Sequence, residues 1–259
     1  MTITVPVTHE PGGIIIITLG PILKFIISKG YKPSALFVSD FDTASHDDEL
    51  IEISGLDESL VFRGNEFKDP VAIEFLSGLG VDYIFGIHFP YIIPAEILGV
   101  PKIGVVNLHP AFLPYNKGWH TPSWAIIEGH PYGATLHFME EALDEGDIIH
   151  QKKIDVYPID TANSLYKRVL KLEEEVFYES FDSLTRLKPN RIKQLDKGTS
   201  HQKKELKALR EINISENSNA IDLINKIRAL TTNNENEAAY FIVDDKKIGV
   251  QINLFYQNE

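Results

Sequence analysis

An amide and an imidazole, the side chains of Asn107 and His109, stand two residues apart at the end of an apolar stretch. The residues before them, 104–106 (Gly-Val-Val), predict the end of a buried strand because they are small or β-branched. On an extended backbone, residues two apart point to the same side, so the two polar groups would be presented together. Pro110 keeps His109 out of the helical region. Since open parallel sheets bind ligands at the carboxyl ends of their strands, this pair predicts a ligand site.

The elements around this pair predict an α/β fold: a Rossmann-like, mostly parallel sheet with helices on both faces. Apolar runs that predict strands lie at 14–17, 35–39, 81–87, 135–138 and 148–156. Patterns that predict helices lie at 21–29, 69–80 and 160–187. A short amphipathic helix at 221–230 and a β-hairpin, with strands at 238–243 and 248–255, complete the chain. We expect a main domain over 1–185 and a linker, helix and hairpin over 186–259.

Composition narrows the class of protein. The chain has 259 residues and a net charge of −12, which argues against broad, non-specific binding to nucleic acid or to an anionic membrane. It has no cysteine, which is compatible with a reducing cytoplasm, where we expect the protein to work. Neither a signal peptide nor a membrane-spanning segment is predicted. The turn at Gly20 lacks the GxGxxG pattern, so a dinucleotide site is poorly supported.

Three segments have two interpretations each. The loop at 88–94 (HFPYIIP) could simply pack on the sheet, or it could form a wall for a flat aromatic ligand. The loop at 114–124 contains Trp119, which could cap the core or take part in recognition. The basic segment at 186–210 could be a solvated face, or a place where an anionic ligand or partner is bound.

Two motifs in the right order resemble those of the 10-formyltetrahydrofolate-dependent formyltransferases. The first is Asn107-Leu108-His109-Pro110, followed by Leu113-Pro114 and Gly118, and the second is Leu143-Asp144-Glu145-Gly146. The similarity covers residues 81–175 well. Within this superfamily, the segment at 114–124 (PYNKGWHTPSW) and the C-terminal region are most similar to nucleotide-sugar N-formyltransferases. Those enzymes act on dTDP-linked amino sugars such as dTDP-4-amino-4,6-dideoxyglucose.

The resemblance implies that an amine attacks the formyl carbonyl of 10-formyltetrahydrofolate, with three catalytic residues. Asn107 would donate a hydrogen bond to the oxygen as it becomes negative. His109 would take up the amine proton, since an imidazole has an unperturbed pKa of about 6.5. Asp144 would orient the imidazole or pass the proton through a water. Asp147 is the rival for this last role, but it follows the Leu-Asp-x-Gly turn.

The resemblance also implies where the two substrates bind. The pterin would lie between the loop after the third strand and the Leu-Asp-x-Gly turn, near Phe89, Pro90, Tyr91, Ile92, Ile93, Leu143, Glu145 and Gly146. The acceptor would be held by the loop that follows the catalytic strand, through Tyr115, Asn116, Lys117, Trp119 and His120. In that loop Lys117 offers a cation for a diphosphate and Trp119 an apolar face for a sugar or base.

A two-stranded hairpin needs a surface on which to pack, which could be the main domain or a second copy of the chain across a twofold axis. The resemblance implies a sugar nucleotide as partner and favours a homodimer. No nucleic acid, membrane or metal is expected. The same motifs leave other functions open. The acceptor could be methionyl-tRNA, a ribonucleotide or water, as in a formyltetrahydrofolate hydrolase. A catalytically silent ligand-binding protein is a further alternative, although the three motif residues argue against it.

Overall fold

The computed structural model describes residues 13–17, 20–40 and 47–257. The chain divides into two compact units. The first comprises Met1–Asn107 and Phe181–Pro189, and the second comprises Leu108–Ser180 and Asn190–Glu259. The edge strand or loose arm that the sequence offers for residues 2–7 lies outside the described residues, as do residues 18 and 19 of the first turn. The predicted domain boundary at residue 185 stays a prediction.

The first unit contains a parallel sheet, as its apolar runs predict. Its strands are β1 (Ile14–Ile17), β2 (Pro33–Val38), β3 (Val61–Arg63), β4 (Tyr83–Gly86) and β5 (Gly104–His109), of which the last two residues belong to the second unit. They lie in the order β3-β2-β1-β4-β5, and every pair in this order is parallel. Strand β3 lies in residues 42–66, an acidic stretch to which the sequence analysis assigns no strand.

Helices follow the strands of this unit. They are α1 (Gly20–Ser28), α2 (Asp47–Ser54), α3 (Pro70–Gly78) and α4 (Ala95–Leu98). Helix α1 buries Ile22, Leu23 and Ile26, which are spaced as one face of a helix requires. On β2, Phe37 stacks on Phe67 with ring centroids 5.1 Å apart. This apolar core fixes the strands of the sheet, and so the start of β5.

The second unit is built around an antiparallel pair of strands. Its strands are β6 (Lys117–Gly118), β7 (Tyr132–Phe138), β8 (Ile148–Ile154), β9 (Ser200–His201), β10 (Ala239–Val243) and β11 (Lys246–Val250). Every residue of β7 is buried, and β7 pairs with β8 in antiparallel register. Strands β6 and β9 pair in parallel. Strands β10 and β11 form a hairpin, as predicted, which turns at Asp244 and Asp245. Its second strand covers Lys246–Val250, so the predicted extension to residue 255 was wrong.

The helices of this unit are α5 (Thr121–Glu128), α6 (Ala162–Thr185, whose last turn belongs to the first unit), α7 (Lys203–Ala208) and α8 (Ala220–Ala229). Helix α6 has a buried apolar stripe, which consists of Leu165, Val169, Leu172, Val176 and Leu184. A smaller apolar cluster joins α5 to the C-terminal segment through Trp124, Leu206, Leu230 and Ala239. The α/β fold class and the C-terminal helix and hairpin are thus confirmed. Among the described helices, none is both long enough and apolar enough to cross a membrane.

Candidate active site

Strand β5 carries the first two predicted catalytic residues. The strand extends to His109, so Asn107 and His109 both lie on extended backbone with one residue between them. Residues in this relation face the same side of a sheet. His109 is buried and Asn107 is half-buried. The motif therefore presents an amide and an imidazole side by side, as the sequence analysis expects.

The segment after His109 is held by β7 and β8. Thr135 on β7 donates a hydrogen bond to the carbonyl of Ala111 (2.7 Å) and accepts one from the Leu113 amide (3.2 Å). Gln151 on β8 donates to the carbonyl of Leu113 (3.0 Å). Since Thr135 is fully buried, these bonds are sheltered from water and fix the start of the loop that follows His109.

Asp144 lies beside His109 within the second unit. Its Oδ2 is 3.5 Å from His109 Nε2, and it accepts a hydrogen bond of 2.9 Å from the backbone N–H of Gly118. The carboxylate is buried, and Asp144 has a left-handed backbone with φ 54°. The rival Asp147 uses its backbone carbonyl to accept from Phe138 N–H (2.9 Å). The geometry thus supports Asp144 as the carboxylate that faces the imidazole.

The hydrogen-bond partners of His109 define which of its ring nitrogens carries the hydrogen. Nε2 lies 3.1 Å from the carbonyl oxygen of Asn116 and 3.5 Å from the Asp144 carboxylate. A carbonyl oxygen can only accept, so Nε2 carries a hydrogen and donates. In the neutral imidazole Nδ1 then holds the lone pair. His109 can therefore accept a proton at Nδ1, while Nε2–H stays oriented by Asn116 and Asp144.

The pKa of Asp144 reflects competing effects. Burial raises it, but nearby positive charge and a hydrogen-bond donor outweigh burial, so the pKa lies below its usual value. The groups that lower it are, in decreasing order, the charged forms of His109 and His137, the Gly118 N–H and Lys117. The side chain is therefore ionised at neutral pH, as required of a group that stabilises an imidazolium.

A second buried histidine, His137, faces Asp144 from β7, and the sequence analysis missed it. Its Nε2 lies 3.6 Å from Asp144 Oδ1, and its Nδ1 donates to the Phe138 carbonyl (2.7 Å). Burial lowers the pKa of His137 to about 4, so the imidazole is neutral at pH 7. With its hydrogen on Nδ1, Nε2 is an acceptor facing a carboxylate, which explains a separation longer than a hydrogen bond. A histidine inside an apolar strand that leads to the Asp144 turn is the sequence signal that could have found it.

Lys117 occupies a different environment from the one expected. The sequence analysis assigned it an open ammonium for a diphosphate, but the side chain is only 4% exposed. Its Nζ donates to Glu145 Oε1 at 2.9 Å, so the charge is already paired. Burial of a lysine requires such a partner, and Glu145 supplies it from the Asp144 turn. Lys117 and Glu145 thus connect the loop that follows His109 to the turn that carries Asp144.

Asn116 is 1% exposed, and both polar atoms of its side-chain amide lack a protein hydrogen-bond partner among the described residues. Buried amides normally have partners. The backbone of Asn116 is left-handed, with φ 57°, and its carbonyl orients His109. The residue therefore holds the imidazole through its main chain and keeps an amide available next to it.

The remaining residues of the loop predicted to bind the acceptor differ in exposure. Trp119 is 47% exposed, and the ammonium of Lys203 lies 5.1 Å from the centre of its ring. Tyr115 stacks on the ring of His130 at 4.9 Å. His120 is half-buried, and burial lowers its pKa, so it is neutral at pH 7. Trp119 is the member of this loop that offers an open aromatic face.

The residues predicted for the folate lie in two segments. In the first unit, Pro90 and Ile92 are exposed, whereas Ile93 is buried. Phe89 packs against Phe67 with ring centroids 5.3 Å apart. The hydroxyl of Tyr91 accepts a hydrogen bond from the Asp40 backbone N–H (3.0 Å). In the second unit, Leu143 is 57% exposed next to the buried Asp144. Gly146 is buried where a Cβ would lie 2.0 Å from the Phe138 carbonyl oxygen, so a side chain is excluded there. An exposed leucine on a tight turn beside a carboxylate fits a flat ligand with polar edges, and the assignment of both segments to the folate stays a prediction.

Comparison with known proteins agrees with this geometry. Residues 36–181, more than half of the chain, match the formyl transferase family, and residues 205–256 match the N-formyltransferase dimerization C-terminal domain. The dTDP-4-amino-4,6-dideoxyglucose formyltransferase of Mycobacterium tuberculosis is 29% identical over 173 residues, which cover 67% of this chain and 73% of that protein.

Solved structures are similar over nearly the whole chain. A crystal structure of a 4-N formyltransferase from Francisella tularensis has 27% sequence identity and a TM-score of 0.81, and the match covers 95% of this chain and 99% of that one. An N-formyltransferase from Helicobacter canadensis, crystallised with folinic acid and dTDP-3-aminofucose, has 20% identity and a TM-score of 0.67 over 92% of this chain and 86% of that one. The second likeness concerns the fold alone. The chain therefore belongs to the formyl transferase family, and it is an enzyme that transfers a formyl group.

Proposed function

We propose that this enzyme transfers a formyl group from 10-formyltetrahydrofolate to the amine of a nucleotide-linked amino sugar, with dTDP-4-amino-4,6-dideoxyglucose as the first candidate. The similarity to the mycobacterial relative, which is named for dTDP-4-amino-4,6-dideoxyglucose, is the observation that carries the acceptor class. The match of residues 205–256 to the N-formyltransferase dimerization C-terminal domain and the similarity to a 4-N formyltransferase structure support transfer to an amine nitrogen. At 29% identity, the relative's own substrate is a starting point for this chain.

The folate supplies the formyl group, and residues of the chain stabilise the developing charges and accept the proton of the amine. Asn107 can donate its amide N–H to an oxygen that becomes negative, and one such donor lowers a barrier by about 2.7–4 kcal/mol. His109 can accept the amine proton at Nδ1, because Nε2–H is directed at Asn116 and Asp144. The ionised Asp144 then stabilises the imidazolium. This division of roles uses the three motif residues together.

The acceptor loop is proposed to hold the sugar nucleotide through groups other than the Lys117 ammonium, which Glu145 occupies. Trp119 offers a partly exposed indole face to a sugar or base, and the nearby Lys203 adds positive charge. Tyr115 and the neutral His120 are available for hydrogen bonds. Asn116 contributes a buried amide whose polar atoms need partners. These assignments extend the proposal from the reaction to its acceptor.

The dimerization domain supports an oligomer, and we propose a homodimer formed through the C-terminal hairpin. The hairpin carries three aliphatic side chains that are each about two-fifths exposed; they are Ile242, Val243 and Ile248 (41%, 40% and 42%). Apolar groups on a two-stranded hairpin are stabilised by covering them. A twofold partner would present the same strands and cover both copies at once.

Ligand-dependent thermal stability tests the acceptor class. The wild-type chain, with tetrahydrofolate present, is heated with dTDP-, UDP- and GDP-linked amino sugars and with the matching nucleotides alone. A ligand at a hundred times its Kd adds about 2.7 kcal/mol to stability, which gives a readily measured rise in Tm. We expect the dTDP-amino sugar to raise Tm most. Stabilisation by none of the amino sugars, or no more by the amino sugars than by the matching nucleotides alone, would contradict the proposal.

A further inference from the structure

Residues 190–201, here called the strap, contact two segments of the candidate active site in the second unit. These are the loop that follows His109 and the turn that carries Asp144. Ile192 exchanges two backbone hydrogen bonds with Ile148 (2.8 and 2.9 Å) at the start of β8. The Oγ1 atom of Thr199 accepts a hydrogen bond from the backbone N–H of Asn116 (2.9 Å). The carbonyl of Thr199 accepts one from the backbone N–H of Lys117 (2.9 Å). The sequence analysis left this basic segment as a solvated face or an anion site. Its charged side chains at 191, 193, 196 and 197 are exposed. Asn190, Gln194 and Thr199 instead form hydrogen bonds with other parts of the chain.

Gln194 is the strap residue that contacts the turn formed by residues 143–146, which carries Asp144. Its Nε2 donates to the carbonyl of Asp144 (2.9 Å) and to the carbonyl of Gly146 (2.9 Å), so one amide nitrogen uses both of its hydrogens. Asp144 has a left-handed φ of 54°, a conformation that residues other than glycine adopt uncommonly. Such a backbone persists where its surroundings over-determine it, and the two bonds from Gln194 do this.

The C-terminal end of the strap positions the side-chain carboxylate of Asp144. Strand β9 pairs with β6, and the carbonyl of His201 accepts from the Trp119 amide (3.1 Å). Gly118 lies so close to β9 that a Cβ would stand 2.4 Å from the His201 carbonyl oxygen. The Gly118 N–H, fixed in this way, donates to Asp144 Oδ2 (2.9 Å). The strap therefore fixes Asp144 at its main chain through Gln194 and at its carboxylate through Gly118.

We propose that Gln194 is a positioning residue that keeps the Asp144 carboxylate directed at His109. It does not itself reach His109, so its effect passes through the turn. Without its two bonds, the left-handed backbone of Asp144 is free to relax and the carboxylate leaves both the Gly118 N–H and the imidazole. The expected effect of Gln194 on turnover rests on the proposed function. Its expected effect on the position of Asp144 does not.

The experiment compares the wild type with Gln194→Met, which keeps the length of the side chain and removes the donor. Asn190→Ala is the matched control, because Asn190 also belongs to the strap but its amide donates to Ile149 (3.4 Å), away from Asp144. The first measurement is hydrogen exchange of the Gly118 amide by NMR. We expect exchange at least about tenfold faster in Gln194→Met and unchanged in Asn190→Ala. Equal Gly118 protection in all three proteins would overturn the proposal, whether or not an acceptor has been identified.

The second measurement separates positioning from loss of folding. In formyl transfer, Gln194→Met should lower kcat by between about tenfold and a hundredfold and leave KM for both substrates unchanged. Asn190→Ala should keep the wild-type kcat. A Gln194→Met protein that keeps the wild-type kcat, or that loses activity only in proportion to a lowered Tm, would refute a positioning role. A wild type inactive towards every amino sugar would count against the proposed function, and the exchange measurement would still decide the role of Gln194.

Discussion

Replacement of His137 by glutamine should remove a pH-dependent part of the protein's stability. His137 is fully buried, and its pKa falls from 6.5 to about 4 because burial disfavours the charged imidazole. In the unfolded chain the same group titrates near 6.5. Between these two values the unfolded state binds a proton that the folded state does not, so stability rises with pH across this window. The contribution is complete above about pH 6.5 and is lost as the pH falls towards 4.

The magnitude follows from the shift. Each pKa unit corresponds to about 1.4 kcal/mol, so the whole window is worth about 3 kcal/mol, and the part lost between pH 7.5 and pH 5 is about 2 kcal/mol. Asp144 does not obscure this, because its pKa lies below its usual value and its stabilising effect is lost only at still lower pH. A glutamine in place of His137 could still donate to the Phe138 carbonyl, so the substitution removes the titrating group with little change in volume.

Equilibrium urea unfolding at the two pH values gives the required free energies. Both tryptophans of the chain, Trp119 and Trp124, belong to the second unit, so their fluorescence reports on the part that contains His137. We expect the wild type to lose about 2 kcal/mol more than His137→Gln between pH 7.5 and pH 5. His130→Gln is the matched control, since His130 is partly exposed and keeps contact with water. An identical loss in the wild type and His137→Gln would refute the argument that His137 is held neutral next to Asp144.

Further predictions concern turnover, the acceptor and assembly. Single replacement of Asn107, His109 or Asp144 by alanine should lower kcat by roughly a hundredfold to a thousandfold while the far-UV circular dichroism stays that of the wild type; near-normal turnover in a folded variant would remove that residue from the mechanism. Trp119→Ala should raise KM for the sugar nucleotide and leave KM for the folate unchanged, in steady-state kinetics with each substrate varied; the reverse pattern would assign the loop to the wrong substrate. Ile242→Arg should convert the homodimer to monomers in sedimentation velocity, because it places a charge among the exposed aliphatic groups of the hairpin; a wild type that sediments as a monomer would contradict the proposed assembly.

The features that the sequence predicts well are local ones. The strand that carries Asn107 and His109 follows from a short β-branched run and Pro110, and the long helix α6 follows from its apolar stripe. The three-residue strand β3 was missed because three residues are too few to show a period. The motif residues could be named because their spacing along the chain is short and specific.

The interactions that join distant parts of the chain were not predicted. Lys117 pairs with Glu145, which lies 28 residues later, and Thr199 binds a loop 83 residues earlier. Nothing in the local pattern around Lys117 shows that its ammonium is buried, because burial depends on what packs over it. His137 was missed for the same reason: its role depends on the turn that brings Asp144 next to it.

The most direct test of the central claim is to incubate the wild-type enzyme with 10-formyltetrahydrofolate and dTDP-4-amino-4,6-dideoxyglucose and to analyse the products by liquid chromatography and mass spectrometry. We predict a single new sugar nucleotide in which one formyl group replaces one amine hydrogen, formed in step with tetrahydrofolate and lost in His109→Ala. Release of tetrahydrofolate with formate and no formylated sugar, with this acceptor and with the UDP- and GDP-linked amino sugars, would contradict the claim.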